Sequence, residues 1–207
     1  MTNRYENCEW YSRKDIDWVY VRVKRAGSTW MTKYLLANGF ERSFRESTLT
    51  RHHKLVVFRE PLERFMSGVG LNNDLYQKLL KSPKKALDEY NHDAHIHPQV
   101  DSLKNIDLNN CTFIKYSTNW TKNFHKFLEQ RGTILTESPP NEWYNKLTPF
   151  DKVLPNKNTL LSPDSNITDR FYLKKHFDEN PSFNKVIMDY LEEDYKFYNK
   201  VEWYGTD

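Results

Sequence analysis

The sequence predicts an α/β fold with a central, mainly parallel sheet flanked by helices, and three observations predict it. Asp17 to Val23 alternates and is rich in β-branched and aromatic residues, whereas Trp30 to Leu36 places apolar groups three and four positions apart. His53 to Arg59 is a second apolar strand pattern, closed by Glu60-Pro61, and the proline opens a helical stretch from Leu62 to Gly68. Cys111 to Tyr116 is a third strand, followed by Trp120 to Leu128 with Trp120, Phe124, Phe127 and Leu128 on one helical face. Strands that alternate with helices run side by side in one direction, because each helix carries the chain back.

The remaining elements follow from punctuation. Asn38-Gly39 is a helix stop and turn, and Phe40 to Ser47 adds a strand. Asn72 to Tyr90 reads as two helices broken at Ser82-Pro83, with Leu75, Leu79, Leu80, Ala86, Leu87 and Tyr90 as core contacts. Gly132 to Leu135 is a short strand, and Pro181 starts one helix carrying Val186, Ile187, Tyr190, Leu191, Tyr195 and Phe197. Between them the prolines of 139–163 form a flap or a core-hugging loop, whose Trp143, Tyr144 and Phe150 either stack on a sugar or pin the loop.

At 207 residues the chain supports one real core, so a single domain over 1–207 is expected. Hydrophobic content is low at 38% while aromatic content reaches 15%, so a few large side chains must supply much of the burial. A formal charge of +3 suits an anionic ligand and is too small for a nucleic-acid binder. Cys8 and Cys111 define no disulfide framework, and Cys111, inside an apolar strand, is read as a buried small hydrophobe. No secretion signal and no apolar run of about 20 residues is present, so stable membrane insertion is not expected, and a soluble cytoplasmic chain is. Asn119-Trp-Thr121 and Asn166-Ile-Thr168 fit the glycosylation pattern and are read as ordinary surface residues. The sequence carries no signal for an oligomeric state.

Three stretches carry chemistry. In Lys24-Arg25-Ala26-Gly27-Ser28-Thr29-Trp30, Gly27 permits a tight path and the first free N–H groups of the helix can face an anion. The Ser28 and Thr29 hydroxyls and the Lys24 ammonium can join them, making a phosphate or sulfate cradle; the same residues also serve as a plain strand-to-helix connection. In Arg59-Glu60-Pro61-Leu62-Glu63-Arg64-Phe65-Met66-Ser67, Arg59 can fork two donors onto a phosphate at a strand end, where open α/β sheets collect ligands. Ser67 can add a hydroxyl, and the plainer reading is a surface arginine pair with a helix-interior serine. The third stretch, Asn91 to Gln99, holds His92, His95 and His97 beside Asp93. It is open to a metal site, to ordinary histidines, and to a general base over an acceptor.

Lys24-x-Ala26-Gly27-Ser28-Thr29-Trp30 resembles the loop with which PAPS-dependent sulfotransferases hold the 5′-phosphosulfate of their donor, in the form typical of carbohydrate sulfotransferases. Lys24 takes the place of the catalytic lysine, Ser28 that of the usual threonine, and Val23 that of the usual proline. A second register, that of the Lys-x-Gly enzymes, would put Arg25 in the lysine's place. Arg59 to Ser67 resembles the family's Arg-Asp-Pro-x-x-Arg-x-x-Ser motif, with Glu60 for the Asp, which implies that Arg59 and Ser67 bind the 3′-phosphate and that Arg64 braces the loop through acidic neighbours. Asp93-x-His95-x-x-Pro98-Gln99 resembles the motif whose histidine faces the acceptor hydroxyl, with Ile96 in place of the common Trp.

Asp189 to Tyr198 is similar to the closing family helix, with Leu191 in the tyrosine's place and Asp194 structural. The Arg-Lys-Gly loop of the cytosolic enzymes is absent, and Arg170, Lys174 and Lys175 are candidates for a late cation. The resemblance implies a single-domain, P-loop-like three-layer fold and sulfuryl transfer from PAPS to a hydroxyl acceptor, a carbohydrate, leaving PAP. The site would comprise Lys24 and His95 as catalytic residues and Lys24 to Trp30, Arg59 and Ser67 around the donor, with no metal required. The Golgi enzymes carry a membrane anchor, so a soluble bacterial or virus-encoded chain is the expectation here. The alternatives are a nucleotide kinase or other phosphotransferase, which would want Gly-x-x-x-x-Gly-Lys-Ser/Thr, and a non-catalytic nucleotide- or carbohydrate-binding protein.

Overall fold

The computed structural model describes residues 9–43, 51–104, 106–138 and 166–205, with side chains from Tyr172 onward in the last stretch. The chain divides into two compact units: Met1–Glu60 with Gln99–Lys146 and Phe197–Asp207, and Pro61–Pro98 with Leu147–Lys196. Each has its own cluster of buried apolar side chains.

The first unit holds a five-stranded sheet, ordered β3 (Glu41–Ser43), β1 (Trp10–Ser12), β2 (Trp18–Val21), β4 (His53–Phe58), β5 (Cys111–Lys115). β2, β4 and β5 are parallel, in the register Tyr20 to Leu55 and Val56 to Phe113, while β1 runs against both of its neighbours. The predicted mixed α/β sheet, mostly parallel, is therefore present. Every residue of β2 is buried, as a strand covered on both faces requires.

Alternation along the strands divides the two faces. Trp18 meets Phe124 and Phe127 of α5 (Trp120–Gln130), the nearer ring at 5.2 Å, and Trp30 of α1 (Ser28–Ala37) meets Trp120 at 5.0 Å. On the opposite face Phe58 and Phe113 pack on Phe197, at 5.2 and 5.3 Å. Trp18 is fully buried and its indole N–H donates to the Thr133 hydroxyl at 3.0 Å, so Trp18→Ala would cost about 3–5 kcal/mol. Beyond β5, Trp203 forms a parallel bridge with Phe113, and the Tyr204 N–H donates to the Phe113 carbonyl at 2.9 Å.

Three expectations need correction. Gly132 to Leu135 is no strand: Gly132, at φ 59°, ends α5, with its N–H on the Glu129 carbonyl and the Thr133 N–H on the Leu128 carbonyl, a Schellman stop that leaves Ile134 exposed. The closing helix is two, α7 (Pro181–Tyr190) and α8 (Glu192–Tyr198), divided at Leu191 where Glu192, Glu193 and Asp194 supply the acidic first turn of a fresh helix. Cys111 is only partly buried, its thiol donating to the Asp107 carbonyl at 3.2 Å. Strand β1 was not foreseen. Glu9 pairs with Arg22 and, at 2.9 Å, with Arg42, both more than ten residues away, and accepts locally from the Tyr11 hydroxyl. Of the strand expected over Phe40 to Ser47, only Glu41–Ser43 is formed within the described residues.

The second unit is helical among the described residues: α2 (Pro61–Val69), α3 (Asn73–Lys81), α4 (Pro83–Glu89), α6 (Asn166–Glu179), α7 and most of α8. Ser82-Pro83 breaks the chain between α3 and α4 as predicted, and Asn72 caps α3 by accepting the Leu75 N–H at 3.1 Å. Asp194 is fully buried, consistent with a structural role. The 139–163 segment, with Trp143, Tyr144 and Phe150, lies outside the described residues. Among those residues no helix is long and apolar enough to cross a membrane.

Candidate functional site

The loop after β2 has the backbone of an anion cradle. Arg25 and Gly27 both take positive φ, 68° and 69°, and left-handed residues alternating with their neighbours turn successive N–H groups toward one concavity. Positive φ is natural for Gly27 and strained for Arg25. α1 then starts with no side-chain cap and no acid in its first turn. Its first helical bond runs from the Met31 N–H to the Gly27 carbonyl at 3.1 Å, so the N–H groups of Ser28, Thr29 and Trp30 have no helical acceptor. Lys24 and Arg25 are half-buried, Ser28 is buried and Thr29 exposed. The Ala26 and Trp30 side chains are in the core, so these two residues can offer a ligand only their main chain.

Tyr116 joins this loop to the second motif. A Cβ on Gly27 would lie 2.8 Å from the Tyr116 ring and 3.1 Å from that of Trp120, so the aromatic pair leaves room only for glycine. The Arg59 guanidinium lies over the same tyrosine, 5.3 Å from the ring centroid. Tyr116 is itself fixed by its N–H to the Phe58 carbonyl at 2.8 Å. Lys24, Arg59 and Tyr116 thus all follow the carboxyl ends of parallel strands, the side of an open sheet where ligands bind. The Arg59 main chain is held as well: its N–H donates to Gln99 Oε1 at 3.0 Å and its carbonyl accepts from Gln99 Nε2 at 2.8 Å.

The second unit carries Ser67 and the histidine turn. Pro61 opens α2, which buries Arg64 and Ser67. Arg64 braces the turn by donating from Nη2 to the Ala94 carbonyl at 3.2 Å. Gly68 lies against the same turn, where a Cβ would come within 2.1 Å of the His95 carbonyl oxygen. Asp93 Oδ1 accepts the His95 main-chain N–H at 2.9 Å and lies 2.9 Å from Nδ1. A carboxylate in that position fixes Nδ1 as the protonated nitrogen and leaves Nε2 as a proton acceptor. The hydrogen bond from His95 holds the Asp93 carboxyl below its ordinary range, against the partial burial that would raise it. The His95 side chain is 42% exposed, enough to meet a substrate.

The other candidates are placed differently. His92 stacks on Tyr90, and the His97 N–H donates to the Asp93 carbonyl as part of the turn. Ile96 is fully buried in the second core, so it cannot stack on an acceptor. Lys174 pairs with Asp178 at 2.6 Å and Lys175 with Glu179 at 3.8 Å along α6. Among the described residues no group of three His, Cys, Asp or Glu side chains is disposed to hold a metal.

Sequence reasoning gave no role to Tyr116, Gln99 or Gly68. A glycine inside a helical pattern was a usable signal for Gly68, because it marks close backbone approach. The other two act through contacts distant in sequence. Comparison with family models, with curated proteins and with solved structures finds no match to this chain.

Proposed function

We propose that the protein is a sulfotransferase of P-loop-like, three-layer fold that moves the sulfuryl group of PAPS to a hydroxyl acceptor, a carbohydrate, in the cytoplasm. One observation carries this reading: the Gly27 loop and Arg59, two cationic anion-binding motifs distant in sequence, pack on the single ring of Tyr116. A donor phosphorylated at both 3′ and 5′ positions needs two such motifs, whereas a singly phosphorylated ligand needs one. The oriented His95 supports the reading from its own unit.

In the proposed reaction the acceptor oxygen forms a bond to sulfur as the bond from sulfur to the bridging phosphate oxygen breaks, and PAP leaves. Lys24 and the loop N–H groups neutralise charge on the transferred group and the departing oxygen, with Ser28 and Thr29 on the 5′-phosphate. Arg59 takes the 3′-phosphate. His95 Nε2 accepts the hydroxyl proton, and Asp93 stabilises the resulting imidazolium. No step requires a metal.

The test is transfer of labelled sulfate from PAPS to a panel of sugars, polysaccharides, lipid headgroups and small alcohols. Lys24→Ala should depress turnover strongly with the fold intact and Arg25→Ala should do less. His95→Ala should cut the transfer rate about 10²- to 10⁴-fold while leaving PAP binding nearly unchanged. Equal affinity for PAP and 5′-AMP, or unimpaired chemistry without His95, overturns the respective assignment. Tight donor binding without turnover on any acceptor favours a binding protein.

A further inference from the structure

Gln99 is fully buried although its amide carries both donors and an acceptor, a burial that costs free energy unless those groups are paired. The oxygen accepts the Arg59 N–H at 3.0 Å, and one amide N–H donates to the Arg59 carbonyl at 2.8 Å, so both main-chain groups of one residue are held. We infer that Gln99 is a positioning residue that fixes Arg59 for selective recognition of a 3′-phosphorylated nucleotide, an inference that rests on the proposed donor site.

The β ladder explains why a clip is needed at this position. β4 ends at Phe58, whose carbonyl receives the Tyr116 N–H, and Arg59 is the first residue beyond the paired register. The Gln99 amide imitates a neighbouring strand there, accepting the N–H and donating to the carbonyl of the same residue. Holding both groups fixes the direction in which the Arg59 side chain leaves the backbone. The Tyr116 ring then holds the guanidinium at 5.3 Å. An arginine restrained at both ends has less freedom to lose on meeting a phosphate, which improves affinity for that phosphate alone. Gln99 is fully buried and so cannot touch the nucleotide; its effect must pass through Arg59.

Calorimetry with adenosine 3′,5′-bisphosphate and adenosine 5′-monophosphate separates this role from a merely structural one. Wild type, Arg59→Ala, Gln99→Met, Gln99→Glu and the two double variants are compared. Gln99→Met removes both hydrogen bonds, while Gln99→Glu keeps the acceptor and loses the donor. The preference for the bisphosphate should fall about tenfold in each Gln99 variant, with affinity for the monophosphate changed less than about twofold. In the Arg59→Ala background the Gln99 substitutions should have no further effect on the preference. Equal weakening of both nucleotides, or a preserved preference, overturns the Gln99 role while leaving the donor site intact. A wild type without preference overturns the donor site itself, and the Gln99 role with it. Should the variants fail to fold, amide exchange in wild type decides: the Arg59 N–H must be protected before any nucleotide is added, and rapid exchange there overturns the inference.

Discussion

Gly68 and His95 are in such close backbone approach that a methyl group on Gly68 would come within 2.1 Å of the His95 carbonyl oxygen and 2.7 Å of its carbonyl carbon. Neither atom belongs to a side chain that can swing away. Gly68→Ala must therefore displace the histidine turn or the helix, at a cost of about 1–3 kcal/mol or more. Urea unfolding should show the loss, and turnover should fall further than in Arg25→Ala. Unchanged stability would mean that the turn yields freely and that Gly68 positions nothing.

The glycines at 27 and 132 offer a controlled comparison. Both have positive φ, but nothing lies within 4 Å of a Cβ on Gly132, whereas Tyr116 would lie at 2.8 Å from one on Gly27. Gly132→Ala should cost about 1–2 kcal/mol from backbone strain alone. Gly27→Ala should cost more and also weaken anion binding, because the aromatic pair must shift. Denaturant midpoints and phosphate titrations of both variants check the ranking.

Two carboxyls set an acid limb of stability. Burial would raise Glu9, but the hydrogen bond and charge of Arg22, with Tyr11 and Arg42, outweigh it and bring the group below its ordinary 4.5. Asp93 lies below its ordinary 3.8 through the hydrogen bond from His95. A depressed folded-state value means that the stabilisation is fully present above the ordinary value and is lost as pH falls through the folded one. Glu9→Gln and Asp93→Asn should each flatten the decline of stability below about pH 4. Denaturant curves at stepped pH test this, and an acid limb identical to wild type refutes the pairing concerned.

Cys111 should be a sluggish thiol. Burial, aided by the charge of Asp107 and opposed by that of Lys54, raises it from 9.0 to about 11. Near pH 8 the thiolate fraction is then about a hundredfold below that of an ordinary cysteine. In a Cys8→Ser chain, the rate of reaction with an aromatic disulfide should stay low at pH 8 and climb steadily to pH 11. A plateau near pH 9 would contradict the burial.

What the sequence made legible is what local chemistry dictates. β2, β4 and β5 declared themselves by apolar runs, and α2, α4 and α7 by a proline at the helix start. β1 was hidden because three residues carry too little periodicity, and the Glu9 pairs that fix it are set by folding. At the site, Gly27 before Ser28 and Thr29 announced a tight turn. The positive φ of Arg25 was not announced, since no residue preference favours arginine there. The Gln99 clip on Arg59 and the shared Tyr116 ring join positions 40 and more residues apart, beyond the reach of any local pattern.

The bridge between Phe113 and Trp203 bears on how the protein behaves at high concentration. β5 closes one side of the sheet, and an open strand side is a template for pairing with another molecule. Trp203 and the Tyr204 N–H occupy part of that side, and at the opposite side β3 is only three residues long. A chain cut back to Tyr198 would keep its strands but bare the backbone of β5, and aggregation rather than loss of folding would be the first symptom.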